Sequence, residues 1–279
     1  MGVTTIRRTK SIEAKLKEGR GLGEGKNYVP WLKVHEVPSK GLSFMILGWK
    51  TKRVHHLLSL NERSYFYLAE WEDDVIDIRE QFPLLPIERT LTIADGLGID
   101  HPIIPRNKKP NVMTTDFVLT LKGTFGVYYL ARTIKPSDSL NDKRTIEKLK
   151  IEELYWRDRQ IPWCIVTEKE ISLVKSSNIN WLHPRRYPNS LSVPKTMIPV
   201  LQKALEERIE THPYYPLTDI TQELDLYFKL HKGTCLAVAR HLLANKIWQV
   251  DMEVKINPDR PLNLLASSKV AIMEVSGFQ

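Results

Sequence analysis

The stretch TTDFVLTLKGTFGVYYLARTIK, Thr114–Lys135, decides the fold of the first half of the chain. Its apolar side chains recur with a period of two over 114–121, and the segment 127–135 repeats the pattern, which predicts two strands. The KGTFG segment between them contains two glycines and predicts a tight turn. The sequence therefore predicts an antiparallel hairpin at the centre of a sheet.

The hairpin also sets a register that brings candidate functional side chains together. A turn centred between residues 124 and 125 pairs positions whose numbers sum to about 249, so Asp116 is expected opposite Thr133. Lys135 lies one step further along the same face, because side chains alternate along a strand. We therefore expect Asp116 and Lys135 to lie close together on neighbouring strands.

The residues before the hairpin predict a helix and a third strand. Residues 59–71 begin with Ser59 and Glu62 at the S-x-x-E spacing of a capping box, and apolar residues follow at helical spacing. The next stretch, VIDIREQFPLL, alternates like a strand and stops at Pro83 and Pro86. Glu62 is therefore expected in the first turn of a helix that precedes the sheet.

The residues after the hairpin complete the first predicted domain. A long helix is predicted after Pro136, followed by IPWCIVTE (161–168), whose continuous apolar run is typical of a strand buried on both faces. The order helix, three strands, helix, strand predicts a mixed α/β domain over 1–170, with a basic N-terminal arm over about 1–45.

The remaining residues, 171–279, predict a second and mainly helical domain. LTDITQELDLYFKL and GTCLAVARHLLANK read as two helices separated by a Lys-Gly break, and 247–265 reads as a strand, a loop and a second strand. Helices followed by a β-ribbon are typical of a winged-helix domain, a variant of helix-turn-helix.

The charge of the chain is unevenly distributed. The 279 residues include 41 Lys and Arg against 33 Asp and Glu, and 41 − 33 gives +8. Residues 1–50 and 101–150 each hold 10 basic and 4 acidic side chains, whereas 51–100 holds 5 basic and 10 acidic ones. A solvated surface and a nucleic-acid surface both fit this pattern. Charge alone does not decide between them.

Several other features limit the class of protein. The glycines of 19–25 do not form a P-loop, because Asn27 rather than Ser or Thr follows Lys26, and they predict a flexible basic loop. Cys164 and Cys235 lie in apolar runs and are expected to be buried free thiols in a reducing compartment. The sequence shows no secretory signal and no apolar run of membrane-spanning length, so a cytoplasmic protein without a membrane partner is expected.

Glu62, Asp116 and Lys135 together suggest phosphodiester hydrolysis. Two carboxylates can bind Mg²⁺, which prefers oxygen ligands, and a lysine can orient water or neutralise charge on the phosphoryl oxygens. Each residue also has a structural alternative: Glu62 can close its capping box, Asp116 can end a strand, and Lys135 can be a solvated edge lysine. As a set on the predicted hairpin, the catalytic and structural interpretations are equally weighted.

At this point the sequence resembles the TnsA family, the endonuclease subunits of heteromeric cut-and-paste transposases. The resemblance rests on EGRGLGEGKNYVPWLKVHEVPSKG, RVHHLLSLNERSYFYLAEW, DVIDIREQFPLLP, MTTDF and TIKP in the family's order and spacing, and it spans roughly residues 10–170. It implies a restriction-endonuclease-like domain, a mixed sheet flanked by helices, followed by a winged-helix domain.

The resemblance also implies roles for individual residues. Glu62, Asp116 and Lys135 fall on the family's two catalytic acids and its lysine, with Mg²⁺ as cofactor and Mn²⁺ as a substitute. Two residues before the lysine the family usually has Gln or Glu, whose backbone carbonyl can be a metal ligand, and here the residue is Thr133. With threonine at this position a backbone carbonyl ligand is retained, whereas a side-chain carboxylate ligand is lost. The number of metal ions, one or two, therefore stays open.

Four further residues are predicted to contact DNA. Arg53, His55 and His56 directly precede the Glu62 helix, and Lys26 lies in the basic glycine loop. For the two histidines a structural role is the favoured alternative. Such contacts to phosphates would position DNA without reading its sequence.

The function implied by the resemblance is cleavage of the non-transferred strand at the 5′ ends of a transposon. The implied partners are the transposon-end DNA, a TnsB-type DDE transposase that processes the 3′ ends, and a TnsC-type AAA+ ATPase. Two alternatives stay open: a free-standing restriction- or resolvase-like nuclease, and a non-catalytic DNA-binding or scaffold subunit. For the near-neutral second domain, docking of the ATPase is as well supported as reading of DNA.

Overall fold

The computed structural model describes residues 10–37 and 41–265. The chain divides into two compact units, Met1–Ser172 and Leu173–Gln279. Three parts of the predicted domains lie outside the described residues: 1–9 and 38–40 of the basic arm, and 266–279 at the end of the second domain.

The first unit contains the predicted helix, three strands, helix and strand, together with two short strands before them and a helix over Ile87–Gly96 that the sequence did not predict. Its elements, in chain order, are α1 (Ile12–Lys17), β1 (Phe44–Leu47), β2 (Val54–Leu57), α2 (Leu60–Trp71), β3 (Val75–Pro83), α3 (Ile87–Gly96), β4 (Thr114–Gly123), β5 (Gly126–Ile134), α4 (Lys143–Arg157) and β6 (Trp163–Val166).

A four-stranded mixed sheet with the order β3-β4-β5-β6 forms the centre of this unit. The first three strands are antiparallel, and β6 runs parallel to β5. Phe117 pairs with Arg132, so the next position along the ladder sets Asp116 beside Thr133. The predicted hairpin and its register are confirmed.

Helices cover both faces of the sheet, and the alternation along β4 shows how. Phe117 stacks against Tyr65 of α2, with ring centroids 5.4 Å apart. The next residue, Val118, points the other way into an apolar cluster that includes Ile93 of α3 and Trp156 of α4. This arrangement confirms the predicted fold class, a mixed sheet flanked by helices.

Two predictions about the last strand of this unit are wrong. The strand predicted to be buried on both faces is β6, which pairs with a single neighbour at the edge of the sheet. Cys164 of β6 is accordingly exposed, whereas Cys235 is buried as expected. A run of apolar residues does not distinguish an edge strand from a central one, because both can carry the same side chains.

The glycine loop near the N-terminus is anchored rather than loose. Arg20 is fully buried, and its guanidinium donates to the Trp31 carbonyl at 3.0 Å and pairs with Glu36 at 2.5 Å. Gly21 adopts φ +78° beside Pro83, where a β-carbon would lie 2.3 Å from the proline ring. Only a glycine fits this approach. The predicted flexible loop is therefore wrong, because buried contacts fix its position.

The second unit is mainly helical, as predicted. Its helices are α5 (Leu173–Leu182), α6 (Ile198–Thr211), α7 (Leu217–Tyr227) and α8 (Thr234–Ala244). The two helices predicted from sequence correspond to α7 and α8, and Gly233 with φ +87° separates them. None of the helices described in either unit has the length and apolarity to cross a membrane.

The predicted β-ribbon after α8 is wrong over the part that the structure describes. Residues 247–265 form turns and extended segments without any ladder. Their carbonyls instead accept hydrogen bonds from the first residues of α7. Thr218 N donates to the Pro258 carbonyl at 2.9 Å, and Leu217 N donates to the Arg260 carbonyl at 3.1 Å. Pro258 and Pro261 lack the amide donors that a ribbon needs.

Candidate active site

Glu62 lies in the first turn of α2, where the capping box holds its carboxylate. Ser59 caps the helix by accepting from Glu62 N at 3.1 Å, and its hydroxyl donates to Glu62 Oε1 at 2.9 Å. The other carboxylate oxygen accepts from Leu58 N at 2.9 Å. The capping alternative is thus confirmed, and it is compatible with a catalytic role because the cap fixes the direction of the carboxylate.

Asp116 and Lys135 meet at the end of the hairpin. Asp116 Oδ2 accepts from the backbone N–H of Ile134 at 2.7 Å and from Lys135 Nζ at 3.0 Å. The ammonium also donates to the Ile134 carbonyl at 3.0 Å. The Lys135 side chain stays 33% exposed. The predicted proximity of the aspartate and the lysine is confirmed.

Gln81 of β3 joins Glu62 to Asp116. Its amide Nε2 lies 3.3 Å from Glu62 Oε2 and 3.5 Å from Asp116 Oδ1. The sequence assigns no role to Gln81, although a glutamine next to Phe82 and Pro83 on a strand is an unusual polar residue for a buried position. The structure thus brings all three predicted catalytic residues to one place through a residue that sequence reasoning did not assign.

Glu152 of α4 is a third carboxylate at the site, and sequence reasoning missed it. It accepts from the Thr115 hydroxyl at 2.6 Å and from the Thr133 hydroxyl. Two indole N–H groups support these threonines, Trp156 on Thr115 at 2.7 Å and Trp163 on Thr133 at 3.0 Å. A signal was present, because Glu152 lies four residues before Trp156, on the buried face of the helix.

Thr133 therefore directs its side chain to Glu152. The family pattern has a Gln or Glu at this position, and here a hydroxyl instead donates to a carboxylate from the helix. The backbone carbonyl of Thr133 stays a predicted metal ligand, since its participation depends on an ion.

The site holds more buried acid than its cations neutralise. Burial, followed by the nearby charge of Asp116, raises the pKa of Glu62 to about 7. Burial likewise raises the pKa of Glu152 to about 7, against the two threonine hydrogen bonds. Burial lowers the pKa of Lys135, but the carboxylates of Asp116 and Glu152 outweigh it and the net change is upward. Lys135 is thus charged at neutral pH, whereas Glu62 and Glu152 are near their midpoints.

The donor set suits a hard divalent cation. Glu62 and Asp116 offer carboxylate oxygens, which are ligands that Mg²⁺ and Mn²⁺ prefer, whereas Gln81 presents its amide nitrogen to these acids. A cation beside Glu62 would offset the burial and the charge of Asp116, which raise the pKa of Glu62. Over the described ranges, 10–37 and 41–265, no group of three His, Cys, Asp or Glu forms a metal cluster. The remaining ligands would therefore be water, amide or carbonyl oxygens.

A second acidic centre, around Glu80, is fully compensated. Arg53 pairs with both Glu80 oxygens at 2.7 and 2.5 Å, and His55 Nδ1 lies 2.7 Å from Oε2. The other His55 nitrogen contacts Thr51 Oγ1 at 2.7 Å. Burial would raise the pKa of Glu80, but His55 and Arg53 reverse this and the pKa falls well below its ordinary value.

These contacts correct the predicted DNA contacts. Arg53 is 8% exposed and His55 is fully buried, and both are bound to Glu80, so neither offers a surface to DNA. His56 is also buried, with Nδ1 accepting from Val34 N at 3.4 Å. The structural alternative for the two histidines is thus the better one. Lys26 is exposed and remains a predicted DNA contact.

The mixed sheet, with two acids and a lysine meeting at the ends of its strands, has the arrangement of a phosphodiester-cleaving nuclease. Two family models agree with this class: TnsA-like endonuclease N terminal matches residues 72–168, and TnsA endonuclease C terminal matches 170–252. The chain belongs to the TnsA family of endonucleases.

A characterised relative supports the same assignment. The chain is similar to the transposon Tn7 transposition protein TnsA of Escherichia coli, with 39% identity over 265 residues, which cover 95% of this chain and 94% of the relative. The family resemblance inferred from the sequence is confirmed, and it extends through the second unit, beyond the 10–170 range from which it was inferred.

Proposed function

We propose that the chain is a metal-dependent endonuclease of a transposition complex, which cleaves the non-transferred strand at the 5′ ends of its transposon. The observation that carries the proposal is the meeting of Glu62, Asp116 and Lys135 where α2 approaches the ends of the two central strands. The family membership and the relative's role in Tn7 transposition support the choice of substrate.

Each side chain has a task in this proposal. Glu62 and Asp116 would hold a Mg²⁺ or Mn²⁺ ion, which when bound polarises the scissile phosphate and favours deprotonation of water. Lys135, positively charged and partly exposed, would neutralise charge that develops on the phosphoryl oxygens. The hydrogen bond from Ile134 N to Asp116 would hold this carboxylate in place when Lys135 turns to the phosphate.

Partners are part of the proposal. A TnsB-type DDE transposase would process the 3′ ends, and a TnsC-type AAA+ ATPase would engage the assembly. Base reading is disfavoured at one position of the second unit, because Arg240 of α8 lies over the Trp181 ring at 4.7 Å and donates to the Trp181 carbonyl at 3.1 Å. An arginine held in this way is not available to a base edge.

The test is strand-specific cleavage by the complete set of subunits on transposon-end DNA with Mg²⁺. Asp116→Ala is expected to reduce 5′-end nicking by at least about 10³-fold, because it removes a cation ligand. The 3′-end reaction of the partner should continue. Asp100→Ala is the matched control, since Asp100 is exposed and outside the site, and it should nick at the wild-type rate.

Other outcomes separate the alternatives. Wild-type 5′ nicking by Asp116→Ala would refute the site assignment. Cleavage of duplex DNA by the purified chain and Mg²⁺ alone would favour a free-standing nuclease. Complexes of the wild-type chain that nick no 5′ end with either metal would favour a non-catalytic subunit.

A further inference from the structure

Gln81 is the member of the site to which neither the motif nor the family match gives a role. It is 2% exposed, and its amide nitrogen is the shared partner of Glu62 and Asp116 at 3.3 and 3.5 Å. Two buried carboxylates with like charge repel each other, and a shared N–H donor reduces that repulsion. The amide of Gln81 therefore bridges the two acids.

The backbone at Gln81 is held in an unusual conformation. Its φ is +49°, in the left-handed region, although the neighbouring residues of β3 are paired with β4. Its carbonyl accepts from Trp31 N at 3.2 Å. Non-glycine residues keep such a conformation only where the surroundings enforce it, and these positions cluster at functional sites. The preceding residue, Glu80, is fixed by Arg53 and His55, which supplies that constraint.

The amide oxygen of Gln81 contacts a hydroxyl group, which can form a hydrogen bond with the amide in either of two orientations. Gln81 Oε1 accepts from the Thr114 hydroxyl at 3.2 Å. A hydroxyl can donate or accept, so half a turn of the amide would let Thr114 accept from Nε2 and would direct Oε1 towards the two acids. The terminal torsion of glutamine is broad and roughly two-fold. Thr114 would therefore keep one hydrogen bond to Gln81 in either orientation.

The charge between the acids decides which orientation is favoured. With no cation, ionised carboxylates accept hydrogen bonds only, so the N–H groups face them. With a divalent cation bound, an N–H donor would be repelled and an oxygen would be attracted. The two orientations thus correspond to the two states of the site.

We propose that Gln81 is a two-position amide, which spaces Glu62 and Asp116 through its N–H groups in the metal-free protein and turns its oxygen to the cation on binding. The inference rests on the proposed metal-dependent function. It adds an oxygen ligand from β3 to the two acids, and it explains why a buried, strained position carries a glutamine. If Gln81 were only a spacer, its oxygen would never face the cation.

The experiment measures Mn²⁺ affinity of the full chain without DNA, from the electron paramagnetic resonance signal of free Mn²⁺, with Mg²⁺ as competitor. Gln81→Met keeps the length of the side chain and removes the amide, whereas Gln81→Glu keeps an oxygen and removes the donor. Gln202→Glu is the matched control, because Gln202 also donates to a glutamate, Glu206, at 2.9 Å on α6. Thermal unfolding in EDTA verifies that each variant is folded.

Gln81→Met is expected to weaken Mn²⁺ binding by about tenfold or more, as loss of a supporting ligand does. Gln81→Glu is expected to bind at least as tightly as the wild type and to unfold at a lower temperature in EDTA, because three carboxylates then repel. Gln202→Glu should leave the affinity unchanged.

Two results would overturn the inference alone: wild-type or tighter Mn²⁺ affinity in Gln81→Met, or weaker affinity in Gln81→Glu. If Gln81→Met does not fold, the affinity of Gln81→Glu decides. Failure of the wild type to bind Mn²⁺ at millimolar concentration would overturn the proposed metal dependence as well, so the two failures are distinguishable.

Discussion

Glu80 and Gln81 are neighbours on β3, yet they belong to two centres that differ in how their buried negative charge is compensated. The Glu80 carboxylate is fully buried between Arg53 and His55, and its pKa is lowered. One residue further on, Gln81 touches two acids whose only cationic hydrogen-bond partner among the described residues is Lys135, and the pKa of Glu62 is raised to about 7.

The difference separates a structural centre from a reactive one. Around Glu80 every oxygen has a charged partner, so nothing remains for a ligand to supply. Around Glu62 and Asp116 the compensation is incomplete, and a cation is the group that would complete it. Buried charge alone does not identify a functional site, because it is the missing counter-charge that creates affinity.

The largest effect should come from breaking the compensated centre. Glu80→Gln is expected to lower the free energy of unfolding by about 3–5 kcal/mol, because Arg53 stays buried without its counter-ion. The same isosteric change at the other centre, Glu62→Gln, should leave the metal-free protein at least as stable at pH 7. Urea denaturation in EDTA compares the two variants. Equal destabilisation by both would contradict the distinction between the centres.

A smaller effect should appear in the pH dependence. The pKa of Glu62 rises from an ordinary 4.5 to about 7 on folding, so its ionisation costs stability. The stability of the wild type relative to Glu62→Gln should fall as pH increases from 4.5 to 7, by at most about 3 kcal/mol, and stay level above.

Unfolding by urea at several pH values in EDTA provides this measurement. Glu152, whose pKa is also about 7, titrates in both proteins and largely cancels in the difference. The contribution of Glu80 to stability changes with pH in the opposite direction. Because its pKa is lowered on folding, this contribution is present above pH 4.5 and is lost on acidification. A difference between wild type and Glu62→Gln that stays flat from pH 4.5 to 7 would refute the raised pKa.

The smallest effect concerns Lys26, the exposed cation among the predicted DNA contacts. Lys26→Ala is expected to weaken DNA binding by about threefold and to reduce the slope of log affinity against log salt by about one, as loss of one phosphate contact does. Lys203→Ala, an exposed lysine on α6, is the control and should leave both unchanged. Binding titrations at several salt concentrations measure the slope, and an unaltered slope in Lys26→Ala would remove this residue from the interface.

Much of the site was predictable because its signals are local. A turn with two glycines fixes the hairpin register, and the register places Asp116 beside Lys135. The S-x-x-E pattern fixes Glu62 in the first turn of α2. Turn geometry and helix capping each depend on a few consecutive residues, so a sequence displays them directly.

The remaining features depend on distant partners. Arg53 and His55 are basic residues in a chain that resembles a nuclease, so the sequence suggests DNA contacts. Only the fold shows that both bind the carboxylate of Glu80, which lies more than twenty residues later. The burial of β6 depends on how many strands pair with it, which its own residues do not specify. The prediction of a β-ribbon after α8 is wrong for a related reason, because the carbonyls of this segment accept hydrogen bonds from the first residues of α7.

The capping box of α2 also limits how this site can change over evolutionary time. Glu62 closes the first turn of the helix with both carboxylate oxygens, and one of them, Oε2, also accepts from Gln81 in the site. A substitution that discards the acid therefore also loosens the start of the helix, and a lineage that loses cleavage does not drift freely at this position. Replacement of Glu62 by glutamine keeps an acceptor for the helix cap. By this single substitution such a lineage could become inactive while the protein remains folded.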